Sequence, residues 1–270
     1  MRLGISSYAY TWAIGVPGHP PERPLGFIGL LHKAAELGVR LVQVADNLPL
    51  AELPPAEFEA FGRCARELGL DIEVGTRGIR PANLNAYLRI AQRLGSPILR
   101  VVIDSPGHEP NEDEVVDILR AALPDFERAK VCLAIENHDR FPSKVLARIV
   151  ERLGSAYVGI CLDTVNSFGA LEGPQVVVDA LGPWVVNLHI KDFIIQRVSH
   201  KMGFVVEGRP AGEGQLDVPW LLGALSAMGR DPNAVLELWT PPQGTLAETI
   251  ALEDAWARRS VAILRQYIPQ

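Results

Sequence analysis

Eight short apolar runs punctuate this chain, at about residues 2–6, 41–46, 71–76, 98–103, 131–136, 157–163, 185–190 and 234–239. Each has the length and β-branched content of a strand buried on both faces, as in a parallel sheet. Between them, apolar residues recur at helical spacing, at roughly 25–37, 54–68, 82–94, 112–129, 142–153, 174–181, 218–228 and 246–266. A local signature marks the joins. A helical pattern ends in Leu-Gly or Met-Gly and an apolar strand follows, as in HKAAELGVRLVQV, DALGPWVVNLHI and SAMGRDPNAVLEL. The glycine suits the left-handed residue just past a helix end. Eight strands alternating with eight helices predict an α/β fold, a closed (β/α)8 TIM barrel forming one domain over 1–270. An open doubly wound sheet usually has fewer strands, and its dinucleotide-binding glycine fingerprint is missing here.

Alternation along the strands tells the two faces apart. Val131, Leu133 and Ile135 share one side of the fifth strand, and Cys132, Ala134 and Glu136 share the other. The same parity sets Asp163 and Cys161 on one side of the sixth strand, and His189 and Asn187 on one side of the seventh. The bulky side should face the helices and the small or polar side the barrel axis. Gln43, Glu73 and Arg100 then point inward too, and Glu73 and Arg100 are expected to form a buried ion pair. One connection breaks the pattern. The segment at about 193–218 carries two apolar runs, FIIQRV and GFVVEG, separated by SHKM. Loops of this length in a compact domain are usually functional, and this one is expected to form a lid-like hairpin over the barrel mouth.

Composition narrows the function. A net charge of -6 gives no footing for nucleic-acid binding. No run approaches the roughly 18–20 apolar residues needed to span a bilayer, and the start, MRLGISSYAY, reads as a strand and not as a signal peptide. Three scattered cysteines, Cys64, Cys132 and Cys161, fit a reducing cytoplasm. The expected partner is a small molecule, and a homo-oligomer is compatible with the fold.

The chemistry gathers at the strand ends. Glu136, Asp163, His189 and Glu237 close four successive apolar runs, and parallel strands place their C-terminal ends on one face. Burying three carboxylates and an imidazole together is costly without a cation. Mostly oxygen donors with one nitrogen favour one divalent Mn, Mg or Co ion, with Zn or Fe as further options. No other cofactor site is expected. Lys191 shares the parity of His189 and His138 that of Glu136, so both are candidate substrate contacts. Arg197, His200, Lys201 and Arg209 make the lid basic, and Arg77 follows the third strand, which favours an anionic substrate. Trp239 and Trp12, just past strand ends, are candidates to stack on it. Cys161 is expected to be core packing.

The segments AIENH, CLDTVNS, NLHIKD, GRPAGEGQLD and LELW resemble the sugar phosphate isomerase/epimerase group of the xylose isomerase-like barrels, over nearly the whole chain. The resemblance implies a metal held by Glu136, Asp163, His189 and Glu237, with Glu136 and Glu237 as acid and base. It implies an isomerase or epimerase working through an enediolate on a polyhydroxylated carbonyl compound, a small carbohydrate or sugar acid. The same chemistry serves lyases. HIKDF, MGF and LELW resemble decarboxylases of 3-oxo sugar acids such as 3-oxo-isoapionate, and an inosose-type dehydratase is the other lyase option. Ketose 3-epimerases have a substrate-contacting His three residues past the metal-binding Asp. Here that residue is Asn166, which hydrogen-bonds but does not titrate. The endonuclease branch of the superfamily uses extra histidines absent here. A non-catalytic sugar-binding barrel would have no need of the paired Glu136 and Glu237.

Overall fold

A computed structural model describes residues 1–268; the last two residues of the domain drawn over 1–270 lie outside the described ones. Strands β1 (Leu3–Ser6), β2 (Leu41–Val44), β3 (Asp71–Arg77), β4 (Ile98–Val102), β5 (Cys132–Glu136), β6 (Val158–Asp163), β7 (Val185–Ile190) and β10 (Asn233–Leu236) run parallel and close into a barrel. Each pairs with the next, and β10 lies between β7 and β1. Strands β8 (Asp192–Arg197) and β9 (Phe204–Arg209) pair antiparallel outside the barrel. This is the hairpin expected in the long connection.

Helices α2 (Phe27–Leu37), α3 (Pro55–Glu67), α4 (Pro81–Leu94), α5 (Glu112–Ala129), α6 (Ser143–Leu153), α7 (Pro174–Leu181), α8 (Val218–Ala227) and α9 (Leu246–Leu264) fill the expected gaps. A short α1 (Thr11–Ile14) adds a turn above β1. Capping boxes start α5, through Asn111 and Glu114, and α9, through Thr245 and Glu248. Gly38, Gly95 and Gly154 end their helices in the left-handed conformation, as the Leu-Gly signature predicts. Gly182 departs from it: its φ is -47°, and the chain continues into a 3-10 turn. A Cβ there would meet Met228 Sδ at 2.3 Å, so a larger residue would make that flexible side chain shift.

The outward faces of the strands, such as Leu133 and Ile135 of β5, are buried in one core with helix residues such as Leu119, Phe126 and Ile149. The inward faces carry polar groups. Gln43, Glu73, Arg100 and Asn187 are all buried, as the alternation predicts. The expected Glu73–Arg100 ion pair is not made. Gly75, not Glu73, stands opposite Arg100, so the two charges occupy different layers of the barrel. Glu73 instead accepts from Gln43 Nε2 at 3.1 Å, Asn187 Nδ2 at 2.9 Å and Asn233 Nδ2 at 2.8 Å. Arg100 turns to the mouth. The stagger between neighbouring strands of a closed barrel decides this, and alternation within one strand carries no trace of it.

A buried side chain ties the base of the hairpin to the segment that follows it. The buried Asp192 carboxylate accepts the backbone N–H groups of Phe193, Gly212, Gly214 and Leu216 at 2.7–2.9 Å. Farther along β9, a Cβ on Gly208 would meet the Trp239 carbonyl oxygen at 2.0 Å, so the hairpin lies directly on that backbone. Asp192→Ala strands four amides, and should lower unfolding free energy in urea by about 3 kcal/mol or more. Proteolysis within 197–203 should accelerate in the same variant.

Candidate active site

Glu136 and Asp163 end β5 and β6, His189 sits near the end of β7, and Glu237 follows β10, its N–H donating to Ile190 O and prolonging the ladder. All four are buried. Around His189 Nδ1 stand Glu237 Oε1 at 3.4 Å, Glu136 Oε2 at 3.6 Å and Asp163 Oδ2 at 3.7 Å. All three carboxylates expected to share one ion with His189 therefore reach within 3.7 Å of its Nδ1.

The imidazole is oriented from below. Gln43 Nε2 donates to Glu73 and to Asn187 Oδ1, so Gln43 Oε1 faces His189 Nε2, 2.6 Å away. That oxygen can only accept, which fixes a proton on Nε2 and leaves Nδ1 as the nitrogen turned toward the carboxylates. Burial alone would lower the His189 pKa, but the carboxylates of Glu237, Glu136 and Asp163 outweigh it and push it well up. Asp163 Oδ2, His189 Nδ1 and both Glu237 carboxylate oxygens have no hydrogen-bond partner. Orphaned donors of this kind, buried and aimed at one another, fit a divalent cation. Donor atoms of Asp163, His189 and Glu237 lie within 4.8 Å of one another, as do those of Glu136, Cys161 and His189. Cys161 packs as a neutral thiol. Its Sγ lies 3.3 Å from Asn187 Oδ1, and burial pushes its pKa up to about 11.

Two cations brace the carboxylates. Lys191 Nζ lies 2.8 Å from Asp163 Oδ2 and 2.7 Å from Glu237 Oε2, at ion-pair distance but without hydrogen-bond geometry. Burial works against the Lys191 charge, yet Asp163, Glu237 and Glu136 hold its pKa above the usual lysine range. Arg100 Nε donates to Glu136 Oε2, and Asn166 Nδ2 donates to Glu136 Oε1 at 2.7 Å. Burial alone would raise the Glu237 pKa, but His189, Lys191 and Arg100 bring it below the ordinary range.

Above this set opens a cavity of about 650 Å³. Arg77, His138, Asn166, Lys191 and Trp239 line it, so five of the six expected substrate contacts meet there. Arg77 Nε is tied to Asp46 Oδ2 at 3.1 Å, and His138 Nδ1 faces the Asp139 carboxylate. Arg197 is not brought to the cavity. It is exposed on the hairpin, donates to Lys201 O at 3.2 Å and stacks on Phe204. Arg209 pairs with Glu207 at 3.2 Å. The hairpin presents Val206, Glu207 and Gly208 to the cavity, not the basic surface expected of it.

Sequence reasoning missed Asp46 and Tyr8. Asp46 joins Arg77 and Arg100, and Tyr8 donates its hydroxyl to Asp46 at 3.2 Å. Burial alone would raise the Asp46 pKa, but Arg100 and Arg77 hold it down at about 2. Both residues lie past the last residue of a strand, where alternation stops. Their only signal was an ionisable or phenolic group at the barrel rim.

Comparison with known proteins fits this geometry. The sequence matches the xylose isomerase-like TIM barrel family over residues 31–267. It is 36% identical over 266 residues to a 3-oxo-isoapionate decarboxylase of Pectobacterium atrosepticum, covering 98% of this chain and 95% of that protein. The fold resembles a D-psicose 3-epimerase crystallised with D-fructose, with TM-score 0.72 and 17% identity over 98% of each chain. It also resembles a xylose isomerase-like TIM barrel protein from Mycobacterium smegmatis in complex with magnesium, with TM-score 0.71 and 14% identity over 97% of each chain. No helix among the described residues is long and apolar enough to cross a membrane. With its closed eight-stranded barrel and a sequence match over most of its length, the chain belongs to the xylose isomerase-like TIM barrel family.

Proposed function

We propose that the chain is a divalent-metal-dependent decarboxylase of a 3-oxo sugar acid. One observation carries this reading: both carboxylates that an epimerase would use as paired bases are braced by buried cations. Arg100 and Asn166 occupy the two oxygens of Glu136, and Lys191 stands against Glu237. Removing a proton from carbon needs a basic lone pair, and against burial His189, Lys191 and Arg100 hold the Glu237 pKa below the ordinary range. Loss of carbon dioxide needs no such base, because the electron pair comes from the breaking carbon–carbon bond. The near full-length likeness to a decarboxylase supports the same choice.

Glu136, Asp163, His189 and Glu237 would hold the metal, with Mn, Mg or Co suited to the donor set. When bound, that ion supplies a Lewis acid for the substrate's ketone and neighbouring hydroxyl oxygens. The residues around it do the rest. Arg77 and His138 offer contacts for the acid end, and Trp12, Trp239 and Tyr8 wall the cavity. The bond from the carboxylate to its carbon breaks, carbon dioxide leaves, and the electron pair moves toward the ketone as an enolate. Lys191 then gives a proton to that carbon and regains one from solvent. Asp46 keeps Arg100 and Arg77 in place beneath the cavity.

The isomerase or epimerase reading draws on one feature of its own. Glu136 ends β5 and Glu237 follows β10, the outer pair of four consecutive strands, so the two bracket the proposed metal set. A substrate screen with added manganese in deuterated water separates the two. Carbon dioxide release from a 3-oxo sugar acid, with one deuterium in the product, is the expected result. Deuterium exchange on a ketose without carbon dioxide release would replace the decarboxylase with the epimerase.

A further inference from the structure

The chemistry above leaves one buried carboxylate unused. Glu253, on α9, is 1% exposed, and no cation pairs with it among the described residues. Its oxygens instead accept backbone N–H groups from a distant segment, Trp12 to Oε1 at 2.9 Å and Ala13 to Oε2 at 3.0 Å. Those amides open α1, whose own N-cap residue, Tyr10, makes no side-chain cap. A helix start leaves its first N–H groups without intrahelical partners. Glu253 therefore caps α1 from the other end of the chain. The capped turn carries Trp12, whose Nε1 donates to Thr240 O at 2.8 Å and whose ring meets His19 edge-on. Thr11, Trp12 and Thr240 all line the cavity above the metal set.

We propose that Glu253 is the positioning residue for the aromatic wall of the cavity: its carboxylate fixes α1, and α1 sets Trp12 against the substrate space. Four lines of geometry meet in this reading, namely the burial, the two backbone bonds, the missing local cap and the place of Trp12 in the cavity.

The charge on Glu253 is conditional. Burial pushes its pKa up to about 7, further than the amides of Trp12 and Ala13 pull it down, and Asp254 beside it adds to the rise. The cations nearby are committed elsewhere. Lys33 of α2 and Arg258 of α9 both pair with Asp254, and Tyr10 donates its hydroxyl to the same residue. His19 borders Trp12 on its other side. Protonation turns one Glu253 oxygen into a hydroxyl, and one amide of α1 loses a charged acceptor. Because the folded value lies above the ordinary 4.5, the fold retains this proton more firmly than the unfolded chain. Glu253 thus favours folding most at low pH but grips α1 best at high pH.

The test follows Trp12 directly. Its emission is isolated as the difference between the unaltered protein and Trp12→Phe, and its exposure is read by acrylamide quenching from pH 8 to pH 6. Quenching of Trp12 should rise as pH falls through about 7. In Glu253→Gln it should be high already at pH 8 and flat with pH. This arm needs no substrate, so its outcome is separate from that of the decarboxylase reading. For turnover, Glu253→Gln should raise KM about tenfold, the effect of one lost charge-assisted hydrogen bond, with kcat within about twofold. In a Trp12→Ala background the same change should add nothing to KM. Identical quenching in both proteins across this pH range would overturn the proposal. So would an unaltered KM in Trp12→Ala, a result that stands even if Glu253→Gln folds poorly.

Discussion

Asp163→Asn should bring bound metal from one ion per chain toward none and lower turnover by more than about 10³-fold, the rate equivalent of several kcal/mol of lost Lewis-acid stabilisation. The geometry is unusually favourable for a clean result. Asp163 Oδ1 accepts the N–H groups of Val165 and Asn166 at 2.9 and 2.8 Å, while Oδ2 faces His189 Nδ1 and has no hydrogen bond. An asparagine keeping its carbonyl oxygen on those two amides would aim its NH2 group, a donor, at the ion. The local turn should survive and the site should lose its charge. Elemental analysis after dialysis, beside far-UV circular dichroism, measures both. A variant that retains a full equivalent of tightly held metal would remove Asp163 from the set.

Lys191→Met should lower kcat by about 10²–10⁴-fold, the range for loss of a general acid, without weakening metal binding. Lys191 is 6% exposed, and its Nζ stands between Asp163 and Glu237. Methionine keeps most of the chain's volume and removes the proton and the charge. The two carboxylates then lose a competitor for their lone pairs, so metal affinity should hold or increase. Measuring carbon dioxide release beside metal stoichiometry separates this loss from that of Asp163→Asn. Unchanged kcat would mean that water supplies the proton and that Lys191 serves only to balance charge.

Much of the barrel was legible because its strands are buried on both faces. Runs such as VVNLHIKD then declare an outward aliphatic set and an inward polar set, and parity places His189 and Lys191 together. Glu136 and Asp163 followed by the same reasoning, and Glu237 from its place at the end of an apolar run. The errors fall where alternation says nothing. Glu73 and Arg100 share an inward parity but not a layer, since inter-strand offset belongs to the closed barrel and not to either strand. Asp46 lies beyond β2, where the pleat has ended. The cations of the 193–218 connection were expected at the mouth, but a two-stranded ribbon has two faces, and local partners took Arg197 and Arg209. Glu253 was invisible for another reason. An acidic residue in a helix reads as surface, and only the distant Trp12 and Ala13 amides make its burial tolerable.

The Gln43 bridge has a reach that is easy to overlook. Which nitrogen of His189 is free for an ion is decided by an amide on β2, and that amide's own orientation is settled by Glu73 on β3 and Asn187 on β7. Neither β2 nor β3 carries one of the four candidate ligands. The pose of His189 is therefore set in part from strands that hold none of the four candidate ligands. A floor residue thus sets the pose of one candidate ligand without touching Glu136, Asp163 or Glu237.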